Sequence, residues 1–309
     1  MKDTKVVFMG TPDFAVTILE MLNQNMNVIG VVTQPDKEIG RHKVLTYSPV
    51  KEYALKNNIK VFQPLKIRNE YQEILDLKPD MIVTCAYGQI ISSDILNYPK
   101  YGCINVHASL LPKLRGGAPI QHAIMDGLKE TGITIMYMAE HMDDGDIIEE
   151  EKYAIKSNDT YGSLCEVLSK MGRNLLLKTL PEIINSSNKR VKQNDEEVTF
   201  AWNIKREEEH IDFSKGVNYV DQLVRGLNPY PYANTIINNI EFKIIDGYYD
   251  KKNSTPNKVN EITKDAIGFG CEDGIYYATT IKPAGKKEMS VKNFLNGISK
   301  EELMASEIK

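Results

Sequence analysis

Lys5-Val6-Val7-Phe8-Met9-Gly10-Thr11-Pro12-Asp13-Phe14-Ala15 carries an apolar run, a glycine, a threonine and a proline in close succession. Residues 5–9 are apolar after the first and include two β-branched side chains, which predicts a buried strand. Thr11 is placed to cap a helix with Pro12 in its first turn, where a missing N–H costs nothing. Phe14, Ile18, Leu19 and Leu22 then recur at helical spacing. A strand feeding directly into a helix is half of a βα unit, and the pattern continues outward from it. Residues 27–33 read as a second strand and residues 34–46 as a polar loop without periodicity. Ser48 and Pro49 open a helix that runs to about Lys56. Strands follow at 59–62, 80–85, 102–106, 132–138 and 147–155, with a helix at 118–127. A long helix is expected from a cap at Asp159 to residue 184. Alternation of this kind predicts an α/β class with a doubly wound, mostly parallel, Rossmann-like sheet.

The rest of the chain has a different character. Residues 185–197 are rich in Asn, Ser, Lys and Glu and read as a linker. A helix is expected at 214–227. Short strands at 233–237, 241–248, 266–271 and 274–281, punctuated by Gly, Asn and Pro, predict a small β-barrel domain. A length of 309 residues exceeds what most single cores hold. The expected division is a domain at 1–184, a linker at 185–205 and a C-terminal domain at 206–309. No internal repeat is visible.

Composition excludes several classes. Apolar residues make up 42% and charged residues 26%, which is globular. The formal net charge of −4 gives no overall basic excess for phosphate binding, so a nucleic-acid partner would have to meet a local patch. Cys85, Cys103, Cys165 and Cys271 are far apart and form no CxxC pair. They suggest neither a zinc site nor a disulfide framework, and are read as reduced thiols of a cytoplasmic protein. Residues 1–10 lack a secretory pattern, and no apolar run approaches the roughly 20 residues of a membrane helix.

The chemistry concentrates in Gly102-Cys103-Ile104-Asn105-Val106-His107-Ala108-Ser109-Leu110-Leu111-Pro112. On an extended chain Asn105 and His107 point to one side, and Ile104 and Val106 to the other. A strand end that presents an amide and an imidazole together lies where open α/β sheets bind ligands. The Ser-Leu-Leu-Pro that follows has neither helical nor strand logic, so its backbone is expected to face a ligand. A second segment, His141-Met142-Asp143-Asp144-Gly145-Asp146, places three carboxylates around a glycine after a strand. An Asn, a His and an Asp suit acyl-type transfer to an amine. The amide and an imidazolium donate to the tetrahedral oxyanion, and the carboxylate holds the imidazole charged and takes the excess proton. No Ser or Cys nucleophile with an adjacent base is evident, which favours direct transfer. Taken singly, an Asn-x-His strand end is more often structural and DDGD more often a solvated turn. Calcium would need a longer run of spaced oxygens ending in Glu, and no GxGxxG is present.

Together these segments resemble the folate-dependent formyltransferase family. Asn105-Val106-His107 with Ser109-Leu110-Leu111-Pro112 is similar to its Asn-x-His and Ser-Leu-Leu-Pro motifs. Met142-Asp143-Asp144-Gly145-Asp146 resembles its Leu-Asp-Thr-Gly-Asp, which puts the family aspartate on Asp143. Arg115-Gly116-Gly117-Ala118-Pro119-Ile120-Gln121 and the opening Phe8-Met9-Gly10-Thr11-Pro12-Asp13-Phe14-Ala15 also match. Within the family the likeness is closest to members whose acceptor is methionine carried on initiator tRNA. Gln34-Pro35-Asp36, Gly40-Arg41 and Ser48-Pro49-Val50-Lys51 resemble their tRNA-entering loop. Arg225-Gly226-Leu227-Asn228-Pro229-Tyr230-Pro231 and Lys282-Pro283-Ala284-Gly285-Lys286-Lys287 resemble their C-terminal, OB-like β-barrel.

The resemblance implies a formyl transfer from 10-formyltetrahydrofolate to methionyl initiator tRNA, by Asn105, His107 and Asp143. Ser109, Leu110, Leu111 and Pro112 would contact the folate. Arg41, Lys43, Lys286 and Lys287, with Lys292, would meet the tRNA. No metal, no membrane and a monomer are implied. The chain departs from the family pattern at Lys37, Glu38, Ile39 and His42 in the loop, at Asp144 where Thr is usual, and at Tyr230 and Tyr232. The nearest alternative acceptor is an amino-sugar nucleotide, which would leave the tRNA-like loop unexplained. A glycinamide ribonucleotide enzyme would leave residues 206–309 unexplained. Hydrolysis of formyl-folate would use the same three residues with water. A non-catalytic tRNA- or folate-binding protein has no need of the Asn, His and Asp.

Overall fold

The computed structural model describes residues 1–39 and 43–308. These form two compact units. One comprises Met1–Pro119, Glu130–Ala154 and Cys165–Trp202, and the other Ile120–Lys129, Ile155–Leu164 and Asn203–Lys309.

The first unit begins with β1 (Lys5–Gly10), α1 (Asp13–Asn25) and β2 (Asn27–Val32), followed by the short pair β3 (Lys37–Ile39) and β4 (Val44–Thr46). Then come α2 (Pro49–Lys56), β5 (Val61–Phe62), α3 (Gln72–Leu75), β6 (Met81–Cys85), α4 (Ser93–Leu96) and β7 (Cys103–His107). Then β8 (Glu130–Tyr137) and β9 (Ile147–Ala154) complete the sheet, and α6 (Tyr161–Ile184) follows, in this unit from Cys165 on, while α5 (Pro119–Met125), between β7 and β8 in the chain, belongs from Ile120 on to the second unit. The seven strands are ordered β5-β2-β1-β6-β7-β8-β9. Pairing is parallel from β5 to β7 and antiparallel at β7–β8 and β8–β9. The mostly parallel sheet is as the alternation predicts. Its order reverses at β1, because the chain builds β2 and β5 on one side and then returns to place β6 on the other. A crevice opens beyond the carboxyl ends of the strands at such a switch point. Strands β1, β6 and β7 are buried along almost their whole length, so they read as continuous apolar runs.

Local capping differs from the sequence expectation in two places. Pro12, not Thr11, precedes α1, and the Thr11 hydroxyl donates to the Tyr87 carbonyl at 3.2 Å. Thr160 rather than Asp159 caps α6: its hydroxyl accepts from the Ser163 N–H at 3.2 Å, while the Ser163 hydroxyl accepts from the Thr160 N–H at 3.0 Å. Asp159 stands one step outside and braces that turn, accepting from the Lys156 N–H and the Ser163 hydroxyl, both at 2.8 Å. Ser48 caps α2 as expected, accepting from the Lys51 N–H at 3.1 Å. The stretch expected to be a structureless loop contains the β3–β4 hairpin, whose described β4 side chains are exposed.

The second unit is built on α7 (Val217–Gly226), β10 (Ala233–Ile237), β11 (Ile240–Asp250), β12 (Val259–Ile262), β13 (Ile267–Cys271), β14 (Gly274–Pro283) and β15 (Met289–Ser290), closed by α8 (Val291–Leu295) and α9 (Lys300–Met304). Its strands form an antiparallel sheet ordered β10-β11-β14-β13-β12, with β15 on β14. Val217, Val220, Leu223 and Val224 of α7 are buried in one cluster with Ile244, Phe269, Tyr276 and Ile281. Phe213 stacks on Phe269 there, ring centroids 5.0 Å apart. Phe269→Ala removes that stack from a fully enclosed position and should cost about 3–5 kcal/mol of stability. Urea denaturation of the full chain checks this, and an unchanged midpoint would contradict it. No described helix is long and apolar enough to cross a membrane.

Candidate active site

Strand β7 lies between β6 and β8, with Asn105 in register with Thr84 on one side and Met136 on the other. Asn105 and His107 share a face of the strand and are 9% and 6% exposed. Asp143 follows β8 and reaches the same place from a left-handed backbone conformation, φ 52°. The structure therefore brings Asn105, His107 and Asp143 together.

Hydrogen bonding fixes the orientation of each group. The Thr84 hydroxyl donates to Asn105 Oδ1 at 2.9 Å, and Asn105 Nδ2 donates to Asp143 Oδ1 at 3.3 Å. A carboxylate only accepts, so the amide nitrogen must be the atom that faces it. His107 Nε2 lies 3.0 Å from the Leu114 carbonyl, which can also only accept, so Nε2 carries a proton. The other ring nitrogen, Nδ1, stands 3.7 Å from Asp143 Oδ1. The second carboxylate oxygen accepts from the Gly116 N–H at 2.9 Å. Two potential donors, Asn105 Nδ2 and His107 Nδ1, thus converge on one oxygen. The same pair can meet an oxyanion that forms beside it.

The other two acids of the loop are occupied elsewhere. Asp144 pairs with Arg115 at 2.9 Å and Asp146 with Arg190 at 3.1 Å. Of the three carboxylates, only Asp143 touches the Asn and His. Thr84, Leu114 and Gly116 also belong to the site, and sequence reading did not find them. Two of them act through backbone atoms, and Thr84 sits 21 residues from its partner.

Ser109, Leu110, Leu111 and Pro112 form a knot that is largely closed on itself. The Ser109 hydroxyl donates to the Lys113 carbonyl at 2.6 Å, and the Thr134 hydroxyl donates to the Ser109 carbonyl at 2.7 Å. The Leu111 N–H donates to Thr134 Oγ1 at 3.1 Å, and the Leu110 carbonyl accepts from the Lys113 N–H at 3.1 Å. These polar groups are engaged by Lys113 and Thr134. The half-buried side chains of Leu110 and Pro112 remain accessible.

Among the described residues, this unit carries the following concavities. One, of about 290 Å³, is bounded by Tyr137, Asp144, Asp146, Arg190, Lys192 and Gln193, among others. Another, of about 320 Å³, is lined by Gln34, Leu65, Lys66, Arg68, Gln89 and Ile90. Among the described residues no group of acids, His and Cys is arranged to hold a metal. Cys85, Cys103 and Cys271 are free and buried, and burial pushes the Cys103 and Cys271 thiols up to about 12. Inert thiols of this kind supply no nucleophile. Lys43 is exposed at the β3–β4 turn, and Arg41 lies outside the described residues. Lys286 and Lys287 are exposed in the turn between β14 and β15, in the second unit.

Residues 4–180 match the family described as Formyl transferase, and residues 203–299 match Formyl transferase, C-terminal domain. A methionyl-tRNA formyltransferase of Bacillus cereus (strain AH187) is 50% identical over 304 residues, 96% of each chain. Among solved structures, a sugar 3N-formyl transferase crystallised with dTDP and 5-N-formyl-THF matches with a TM-score of 0.68 at 24% identity, over 93% of this chain and all of that one. An N-formyltransferase of Helicobacter canadensis, in complex with folinic acid and dTDP-3-aminofucose, matches with a TM-score of 0.66 at 22% identity, over 89% of this chain and 98% of that one. The sugar enzymes share the fold, while the identity to the tRNA enzyme is about twofold higher.

Proposed function

The chain belongs to the formyl transferase family, and on that premise we propose that it moves the formyl group of 10-formyltetrahydrofolate to the α-amino group of methionyl initiator tRNA. The observation that carries the choice of acceptor is the 50% identity to a methionyl-tRNA formyltransferase along 96% of both chains. The geometry around Asn105 and His107 supports the chemistry.

The free amine attacks the formyl carbon and forms the new C–N bond. Asn105 Nδ2 and a protonated His107 donate to the oxygen as it becomes an oxyanion. Asp143 accepts the proton that the attacking nitrogen sheds, directly or through water. Collapse of the intermediate breaks the bond to N10 of the folate, which leaves with a proton. Neither a metal nor a covalent acyl-enzyme enters this scheme. Leu110 and Pro112 give the folate apolar contacts. The cavity at Leu65 and Ile90 suits its aromatic body, and Lys66 and Arg68 beside it suit its carboxylates.

The first unit, which extends to Trp202, performs the transfer, and residues 206–309 hold the tRNA. Lys286 and Lys287 meet phosphate there, while Arg41 and Lys43 approach the acceptor end. The protein acts as a cytoplasmic monomer without a membrane partner. Assays with the same formyl donor and either methionyl initiator tRNA or a UDP-amino sugar test the acceptor. Formyl-methionyl-tRNA without formylated sugar is expected. Formylated sugar alone would overturn the tRNA assignment and keep the three-residue site.

A further inference from the structure

Gln193 lies in the polar stretch that the sequence presents as a linker, yet it is 6% exposed. Its Nε2 donates to the carbonyls of Asp143 and Gly145, both at 2.8 Å. Its Oε1 accepts from Arg115 Nε at 3.1 Å and Nη2 at 2.7 Å. Both amide protons and the carbonyl oxygen are therefore engaged. Arg115 is itself buried and reaches on to Asp144.

One side chain thus ties together the two loops that complete the active site. The first loop carries Asp143. The second carries the Leu114 carbonyl that faces His107 and the Gly116 N–H that holds Asp143. Six residues after Gln193 the same stretch straps the second loop from outside. Thr199 Oγ1 accepts from the Leu114 N–H and the Thr199 carbonyl from the Arg115 N–H, each at 2.9 Å. The Ala201 N–H donates to the Arg115 carbonyl at 2.8 Å, and its carbonyl accepts from the Ala118 N–H at 3.0 Å. Gly116 has φ 128°, and a Cβ there would stand 2.5 Å from the Ala201 carbonyl, so only glycine lets the strap close. Leu114 and Asp143 both hold left-handed backbone at φ 59° and 52°. Non-glycine residues stay in that region only where their surroundings over-determine them.

We propose that Gln193 is a positioning residue for formyl transfer. It holds the backbone of Asp143 so that the carboxylate meets Asn105 and His107, and it locks that loop to Arg115. The inference rests on the proposed roles of Asn105, His107 and Asp143. In Gln193→Met the amide is lost at nearly constant volume. In Gln193→Glu the contact to Arg115 is kept, but oxygen replaces the nitrogen that faces two carbonyls. Misplacement of a catalytic group by about 1 Å costs up to about 10²-fold in rate. Both variants should lose kcat on that scale, with KM for the formyl donor and for methionyl-tRNA unchanged.

A crystal structure of Gln193→Met gives a second readout that needs no activity. The Asp143 carboxylate should be withdrawn from Asn105 Nδ2. If Gln193→Met does not fold, Gln193→Glu carries both readouts. An unchanged kcat, or an Asp143 carboxylate still in place, would overturn the proposal. Absence of formyl transfer by the unmodified protein would instead overturn the functional reading, and the crystal structure would still decide the role of Gln193.

Discussion

Replacing His107 with alanine should lower kcat for formyl transfer by about 10²–10³-fold, and Asn105→Ala should have an effect of the same size. Each change removes one of the two donors that converge near Asp143 Oδ1. A buried site with little solvent has no ready substitute donor, so the developing oxyanion loses stabilisation that water does not restore. Asn105→Ala is the cleaner experiment. The Thr84 hydroxyl that it deprives of a partner still lies 3.3 Å from the Ile104 carbonyl, so the strand keeps its local bonding. Initial rates at saturating donor and methionyl-tRNA check both variants. The double variant should be little worse than either single one, because residues that act on the same oxygen as a unit do not add. Rates within a few-fold of the unmodified protein would remove these residues from the chemistry.

Asp143→Asn should lower kcat by about 10²–10⁴-fold, the range lost when a positioned proton-transfer group is removed. The asparagine can keep an oxygen against the Gly116 N–H, as Asp143 Oδ2 does at 2.9 Å, so the loop has reason to keep its course. Its other branch is then an NH₂ group. That group faces Asn105 Nδ2, which is also a donor, and can neither take the proton from the attacking amine nor carry charge opposite His107. The loss should appear in kcat at saturating substrates. A matched replacement at Asp146 serves as the control, since that acid pairs with Arg190 and touches neither Asn105 nor His107. Asp146→Asn, whose partner Arg190 is exposed, should be nearly silent.

The centre of this site was legible because its signal is local. Alternation along five residues puts Asn105 and His107 on one face of a strand, and that requires only the period of an extended chain. The choice of Asp143 among three acids came from family resemblance. The physical reason for it is visible only in space: the left-handed turn at Asp143 aims that carboxylate inward. Thr84, Leu114, Gly116 and Gln193 were not legible. They contribute backbone atoms or bonds across long sequence separations, 50 residues between Gln193 and Asp143. Strand order decides which of these meet, and no sequence pattern encodes the reversal at β1. Gln193 was further hidden by its neighbours, because a stretch of Asn, Ser, Lys and Glu reads as solvated linker until one amide is found to be buried.

The caps show the same limit at smaller scale. Thr11 and Asp159 have the right residue types at about the right places. Thr11 is claimed by Tyr87 from another strand end, and Asp159 is displaced by one position by a reciprocal Thr160–Ser163 pair. The hairpin of β3 and β4 and the strand β12 escaped for another reason. Strands that are short, exposed or half-buried carry no strong apolar period.

The most direct measurement is a single-turnover assay with enzyme in excess over labelled 10-formyltetrahydrofolate, with methionyl initiator tRNA as acceptor, run for the unmodified protein and for Asp143→Asn. The label should pass to methionyl-tRNA with the unmodified protein, and that transfer should collapse in the variant while the variant remains folded. Equal transfer by the two proteins would contradict the assignment of the chemistry to Asn105, His107 and Asp143, and no transfer by the unmodified protein would contradict the acceptor.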